Sequence, residues 1–449
     1  MNERGVRLGM SKLTRKQLTR LGRAAHTLFS TKGLGDASAW KTMPPKLFLR
    51  RHIQLKGGIS FLLSDKGYEA FCNTVDSIYE ARVFGDEAEY SDIWSATRDV
   101  IRELLDQKQM PDDGLEFATL IEQKVRKGID EFTFVAPLDG VELKLDTLQF
   151  GCVRIVPSTI EWLRANARWR TDDFIPKLVE VMGGPCWMVA SVNGTYDAAE
   201  RKFALLARRT AGLLGVLAAA TFEGGADAFR VRVVLEPEDG AASAATVAVW
   251  SKTIQELSFY RHPGVWQPFP LDARLLTLIQ SKDSVVSDAI AVVQRDPRND
   301  LEEAIVKSVY WYADAHLDLI GVMRFVKFWS CIETFFPAPT DVTTNVCLGA
   351  AVVLTYGPLR SIPLSDYLAT KRRLTKLYQL RSRAVHHATH DHVTKLDLEA
   401  LSQWAAWLVL NMVALSAAGM SERKRLLADC QRLDARLSSS GGTAESAVD

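Results

Sequence analysis

Between Lys371 and His392 the chain reads KRRLTKLYQLRSRAVHHATHDH, and four of its eight histidines (His386, His387, His390 and His392) crowd the end of that stretch. Histidine is the side chain best suited to exchanging protons near neutral pH. The arginines beside it supply fixed charge and forked donors that fit a phosphate. Such groups together can cleave RNA without a metal. One deprotonates the 2′-hydroxyl or protonates the leaving oxygen, while an arginine stabilises charge on the phosphate. The product ends in a 2′,3′-cyclic phosphate.

Taken as a helix, the segment places Leu374, Leu377, Tyr378 and Val385 on one apolar face, and Arg381 falls on that same face. A guanidinium aimed at a core is costly unless it is paired, so Arg381 is expected to have a specific partner or ligand. Arg372, Lys376 and Arg383 form a second stripe away from the core, either a solvated face or a surface for RNA. A five-residue step turns about 140° on a regular helix. Arg381 and His386 therefore share a site only if the helix ends or distorts near Val385, or if a second copy completes it. His386 and His390 are also spaced to hold a metal on one helix face. With Asp391 the one carboxylate nearby and no cysteine, neither a metal nor another cofactor is expected.

The elements that would position these groups follow from periodicity and punctuation. Met43-Pro44-Pro45 closes a stretch, 1–45, that reads as a basic tail or linker. Residues 46–130 read as a mostly helical region, with helical spacing over Tyr68–Phe84 and Trp94–Gln107. A mixed strand and helix domain follows over 131–265. Its expected strands are Phe132–Pro137, Val141–Leu145, Gln149–Val156, Phe229–Leu235 and Thr246–Trp250, with Asp139-Gly140 a hairpin signal. Its helix is Ala198–Phe222, opened by Asp197 and Glu200. Residues 266–449 read as helical, beginning with an Asp300/Glu303 capping box and an apolar period running on to Phe336. Further helices are expected over 343–356, 366–387, 396–419 and 421–437. The fold class is thus α+β multidomain, ending in an all-α helical bundle.

Composition narrows the alternatives. With 47% hydrophobic and 24% charged residues the chain has the profile of a soluble globular protein. The net charge is +1, yet residues 1–56 carry 13 Lys/Arg against only Glu3 and Asp36. That asymmetry points to an anionic partner, to a solvated basic tail or to a transit peptide. Six scattered cysteines without a CxxC pair suit a reducing compartment. The longest apolar run, Trp404–Met420, has 17 residues and includes Asn411 and Ser416. It reads as a buried core helix, since a spanning helix needs about 20 apolar residues. A cytoplasmic protein with no membrane partner is expected. No GxxxxGK[ST], HExxH or GxSxG motif is present, nor a GxGxxG after a strand, which disfavours ATP hydrolysis, zinc proteolysis and Rossmann redox chemistry.

LYQLRSRAVHH resembles the R-x4-H motif of HEPN domains, and most of all their ApeA-like branch, whose helix reads close to L-Y-x-L-R-S-x-x-V-H. FVKFWSCIETFF (Phe325–Phe336) resembles the first conserved helix of that branch, with Trp329 and Glu333 in matching places. FVAPLDGVELK (Phe134–Lys144) and FGCVRI (Phe150–Ile155) resemble the β-rich portion that precedes it. The resemblance reaches from about residue 130 to 420 and is strongest over 325–387.

The resemblance implies a C-terminal HEPN bundle of four or five helices, commonly a homodimer with two R-x4-H motifs face to face. It implies a metal-independent endoribonuclease in antiviral defence or a toxin system, acting on tRNA or mRNA. By position, Arg381 would hold the scissile phosphate, His386 would be the general acid/base, Ser382 the polar residue after the arginine, and Glu333 would orient Arg381. Arg372, Lys376, Arg383, His387 and His390 would contact RNA. Two residues depart from the common pattern: Ser382 stands where many members have Asn, Asp or His, and His387 stands where Gly is frequent. Arg381–His387 and Arg383–His390 are alternative registers. The rival functions are a non-catalytic HEPN module that binds RNA or protein, and an interaction protein in which Arg381–Glu333 is only a packing ion pair.

Overall fold

Caps and amphipathic periodicity dominate the chain, and the computed structural model is mixed α+β, about 65% helical, with 16 α-helices among the described residues. Described are residues 12–35, 44–56, 58–166, 174–221, 230–235, 244–249, 258–263, 268–318, 320–337, 340–387 and 393–441. The chain divides into two compact units, Met1–Phe134 with Ser191–Phe203, and Val135–Ala190 with Ala204–Asp449.

In the first unit the elements are α1 (Arg15–Leu28), β1 (Leu34–Gly35), α2 (Pro45–Arg51), β2 (His52–Gln54), β3 (Ser60–Leu63), α3 (Asp65–Glu80), α4 (Tyr90–Gln107) and α5 (Gly114–Arg126). The three strands pair antiparallel in the order β1-β3-β2. Residues 15–28, read from the sequence as part of a tail or linker, are instead a core helix. A Thr14/Gln17 capping box starts α1, and Leu21, Ala24, Ala25 and Leu28 are buried in one cluster with Phe71, Val75, Phe117 and Ile121. Gly114 is required where α5 meets α1, because a Cβ there would run into the Leu18 carbonyl oxygen.

Most of the strands fall wholly or partly in the second unit: β4 (Asp130–Asp139), β5 (Val141–Leu143), β6 (Leu148–Phe150), β7 (Val153–Pro157), then, after α6 (Ile160–Asn166) and α7 (Phe174–Met182), β8 (Cys186–Gly194). After α8 (Tyr196–Thr221) come β9 (Arg232–Val233), β10 (Ala244–Val249), β11 (Ser258–Pro263) and β12 (Phe269–Leu271). The main sheet has the order β6-β7-β8-β4-β9. Asp139-Gly140 is a corner and not the expected hairpin. Past it, β5 pairs in parallel with β12, Val141 opposite Phe269. The expected strand Gln149–Val156 is a hairpin, β6 and β7, turning at Gly151 and Cys152. The Gln294 side chain holds that turn, accepting from the Cys152 amide at 2.8 Å and donating to the Phe150 carbonyl at 2.9 Å.

The rest of this unit is helical: α9 (Ala273–Gln280), α10 (Val285–Gln294), α11 (Asp300–Leu317), α12 (Gly321–Glu333), α13 (Val342–Tyr356), α14 (Tyr367–His387), α15 (Lys395–Ala417) and α16 (Arg423–Gly441). The α11 capping box is Asn299/Glu302, one residue before the pair read from sequence. The apolar period to Phe336 is broken at Asp318, whose carboxylate accepts from the Ile320 amide at 2.9 Å and pairs with Lys327 at 2.8 Å. Along α15, Leu408, Val409, Met412 and Val413 are fully buried. Buried Asn411 is satisfied there, accepting from the Leu359 amide and donating to Ser361 Oγ and the Trp407 carbonyl. By length and composition α8 and α15 could cross a membrane, and most of each apolar window is buried in the protein. All six thiols are free, and burial pushes those of Cys186 and Cys430 up to about 12.

Candidate functional site

Helix α14 carries the R-x4-H segment, and its buried face is made by Tyr367, Thr370, Leu374, Leu377 and Ala384. It packs against α13 and, more lightly, α12. Val385, expected on this face, is 47% exposed. Spacing specifies the face of a helix but not how far its neighbours extend along it. Arg372, Lys376 and Arg383 are exposed, in keeping with the polar stripe.

Arg381 emerges at the edge of the buried face. Its Nη2 donates to Glu333 Oε2 at 3.2 Å, and the two side chains are 22% and 21% exposed. Its Nε is buried and has no hydrogen-bond partner among the described residues. The guanidinium lies 5.8 Å from the ring centroid of Tyr378, one turn earlier on α14. Tyr378 meets Trp329 edge to face at 5.5 Å, and the Trp329 Nε1 is a second buried donor without a described partner. Trp329 and Glu333 come from the last turns of α12, Tyr378 and Arg381 from adjacent turns of α14. Two helices thus present a row of four side chains: tryptophan, tyrosine, arginine, carboxylate.

The electrostatics of that row are uneven. Burial raises the Glu333 carboxyl above its ordinary range, and the nearby Arg381 charge and hydrogen bond oppose the shift without cancelling it. A phosphate oxygen reaching this edge would find a guanidinium already oriented by Glu333, with its buried Nε still without a described partner.

Two other cations of α14 are committed to structure. Lys371 pairs with Asp434 at 2.6 Å, and Arg373 pairs with buried Asp397, the N3 residue of the α15 capping box. Neither partner is visible in the sequence. Tyr378 likewise reads only as an apolar face residue, because its place beside Trp329 depends on both helices.

Ser382 is half-buried beside Arg381. His386 and His387 are the last two residues of α14, so the helix runs two residues past Val385 and includes both positions 381 and 386. On one chain, positions 381 and 386 therefore fall on different faces. His390, Asp391 and His392 lie outside the described residues. Among the described residues no three His, Cys, Asp or Glu side chains gather to hold a metal. No protein-family model matches the chain, and no curated protein or solved structure matches it.

Proposed function

We propose that this protein is a metal-independent endoribonuclease of the HEPN type, cytoplasmic, acting on tRNA or mRNA in antiviral defence or a toxin system. In this reading Arg381 holds the scissile phosphate, Glu333 orients it, and His386 is the general acid/base, with Ser382 beside the arginine. Arg372, Lys376, Arg383, His387 and His390 contact the RNA. The observation that carries the reading is the state of Arg381. It is held by the Glu333 carboxylate and lies near the Tyr378 ring, with one buried donor still without a partner among the described residues.

The helix that continues through His387 bears on assembly. The resemblance implies a homodimer in which each site takes groups from both copies, and a regular helix that puts positions 381 and 386 about 140° apart supports it. The same observation favours the competing reading, a non-catalytic module that binds RNA or protein.

The test uses end-labelled tRNA and mRNA in EDTA with wild type, His386→Ala and Arg381→Ala. Wild type alone should leave 2′,3′-cyclic phosphate ends. Mixing the two inactive variants should restore part of the activity if the site spans two copies. RNA that stays intact with wild type but is bound by all three proteins would support the binding module instead.

A further inference from the structure

In the first unit, α1 and α3 leave between them an open groove of about 320 Å³. Arg20 and Arg23 of α1 and Lys66 of α3 line it. Ala24 and Ala70, both buried, lie along it too, and side chains this short leave a channel where larger ones would close the seam. Lys16 continues the row one turn before Arg20, on a helix whose sequence contains no acidic residue. From Lys16 to Arg23 the rise is about 10 Å, so the row extends along the groove.

Among the described residues these charges have no ion-pair partner: no carboxylate is within ion-pair distance of Lys16, Arg20, Arg23 or Lys66. Asp65, next to Lys66, is taken by Arg51 at 2.5 Å. Arg20 donates to the neutral Asn73 side chain, and Glu69 is the one acidic residue on the lining. Elsewhere in the unit several cations are matched: Lys124 with Glu103, Arg126 with Glu122, Arg102 with Asp99. The excess positive charge of residues 1–56 is thus concentrated, in part, along one groove. The exposed residues of α1 are Arg15, Lys16, Thr19, Arg20, Arg23 and His26. None is apolar, so the face lacks the anchors by which a helix enters lipid.

The geometry points to the α1–α3 groove as a track for the sugar-phosphate backbone of single-stranded RNA, read by charge and not by base. This role rests on RNA being the ligand of the protein, as proposed above. Arg20, Arg23 and Lys66 then add phosphate contacts to those of the α14 residues, and take no part in the chemistry.

The experiment measures binding of a labelled single-stranded RNA in EDTA across a salt series from about 50 to 200 mM. The proteins are wild type, R20Q/R23Q/K66Q, His386→Ala, and K108Q/K127Q/K282Q, which removes the same charge from exposed lysines elsewhere. Losing three phosphate contacts should flatten the slope of log K against log salt by about 2, at about 0.7 per contact. His386→Ala and the lysine control should keep the wild-type slope. A flattened slope in R20Q/R23Q/K66Q supports the groove even if wild type never cleaves RNA, an outcome that would sink only the nuclease. Cleavage by wild type with an unchanged slope in that variant overturns the groove and leaves the nuclease standing. Equal flattening in the lysine control overturns it as well. So does a wild type that ignores RNA but binds phosphatidylserine vesicles or an acidic peptide through these three residues.

Discussion

Arg381 Nη2 donates to Glu333 Oε2 at 3.2 Å while Nε of the same guanidinium is buried without a described partner. The pair is neither a surface ion pair, worth about 0–1 kcal/mol, nor a fully buried one, where removing one partner costs about 3–5 kcal/mol. Arg381→Ala and Glu333→Ala should each destabilise the protein by about 2 kcal/mol, between those limits. Because the two are in contact, the double variant should cost less than the sum, with a coupling of about 1 kcal/mol. Urea denaturation of the three variants measures it. Coupling under about 0.3 kcal/mol, the scatter of independent sites, would mean that Glu333 does not hold Arg381 in place.

The titration of Glu333 makes a second, independent prediction. Its carboxyl is raised above 4.5, chiefly by burial, so the ionised form costs the folded state free energy. The stability this group contributes is fully present below 4.5 and is lost as pH rises through the raised folded value. Glu333→Gln keeps the shape and removes the titration. The stability of wild type relative to Glu333→Gln should therefore fall as pH rises past 4.5, then level off once the folded carboxyl is ionised. Urea midpoints of both proteins from acid to neutral pH read it directly. A relative stability that rises with pH would show that Arg381 dominates the carboxyl and lowers it.

The parts of this molecule that are legible in its sequence are those decided by local chemistry. Arg381 stands out because a guanidinium on an apolar stripe demands a partner, and α14 and α15 begin and end close to where periodicity puts them. What is illegible depends on distant segments. Asp139-Gly140 has hairpin chemistry, but β5 finds its partner in β12, far along the chain. The strand β8 is buried through Cys186–Ala190, so it shows no alternation to betray it. The break at Asp318 interrupts an apolar period that sequence carries straight through. The partners of Lys371 and Arg373, Asp434 and Asp397, come from other helices. Helix α1 is concealed by its own charge, because four Lys/Arg and four core residues share its fourteen positions.

That last case changes how the basic segment can be probed. Leu21 is fully buried, in one cluster with Phe71 and Val75 of α3 and Phe117 and Ile121 of α5. Leu21→Ala should cost about 2–5 kcal/mol through lost burial and the cavity left behind. Arg23→Gln, on the exposed side of the same helix, should change stability by no more than about 0.5 kcal/mol. Deleting residues 1–45 would remove α1 outright and unfold the first unit, so loss of RNA binding on deletion would report folding and not contact. Urea denaturation followed by tryptophan fluorescence, with Trp94 packed against this cluster, separates the cases. If Leu21→Ala matched wild type within about 0.5 kcal/mol, α1 would be an appendage after all, and the groove it forms with α3 would lose its rigid wall.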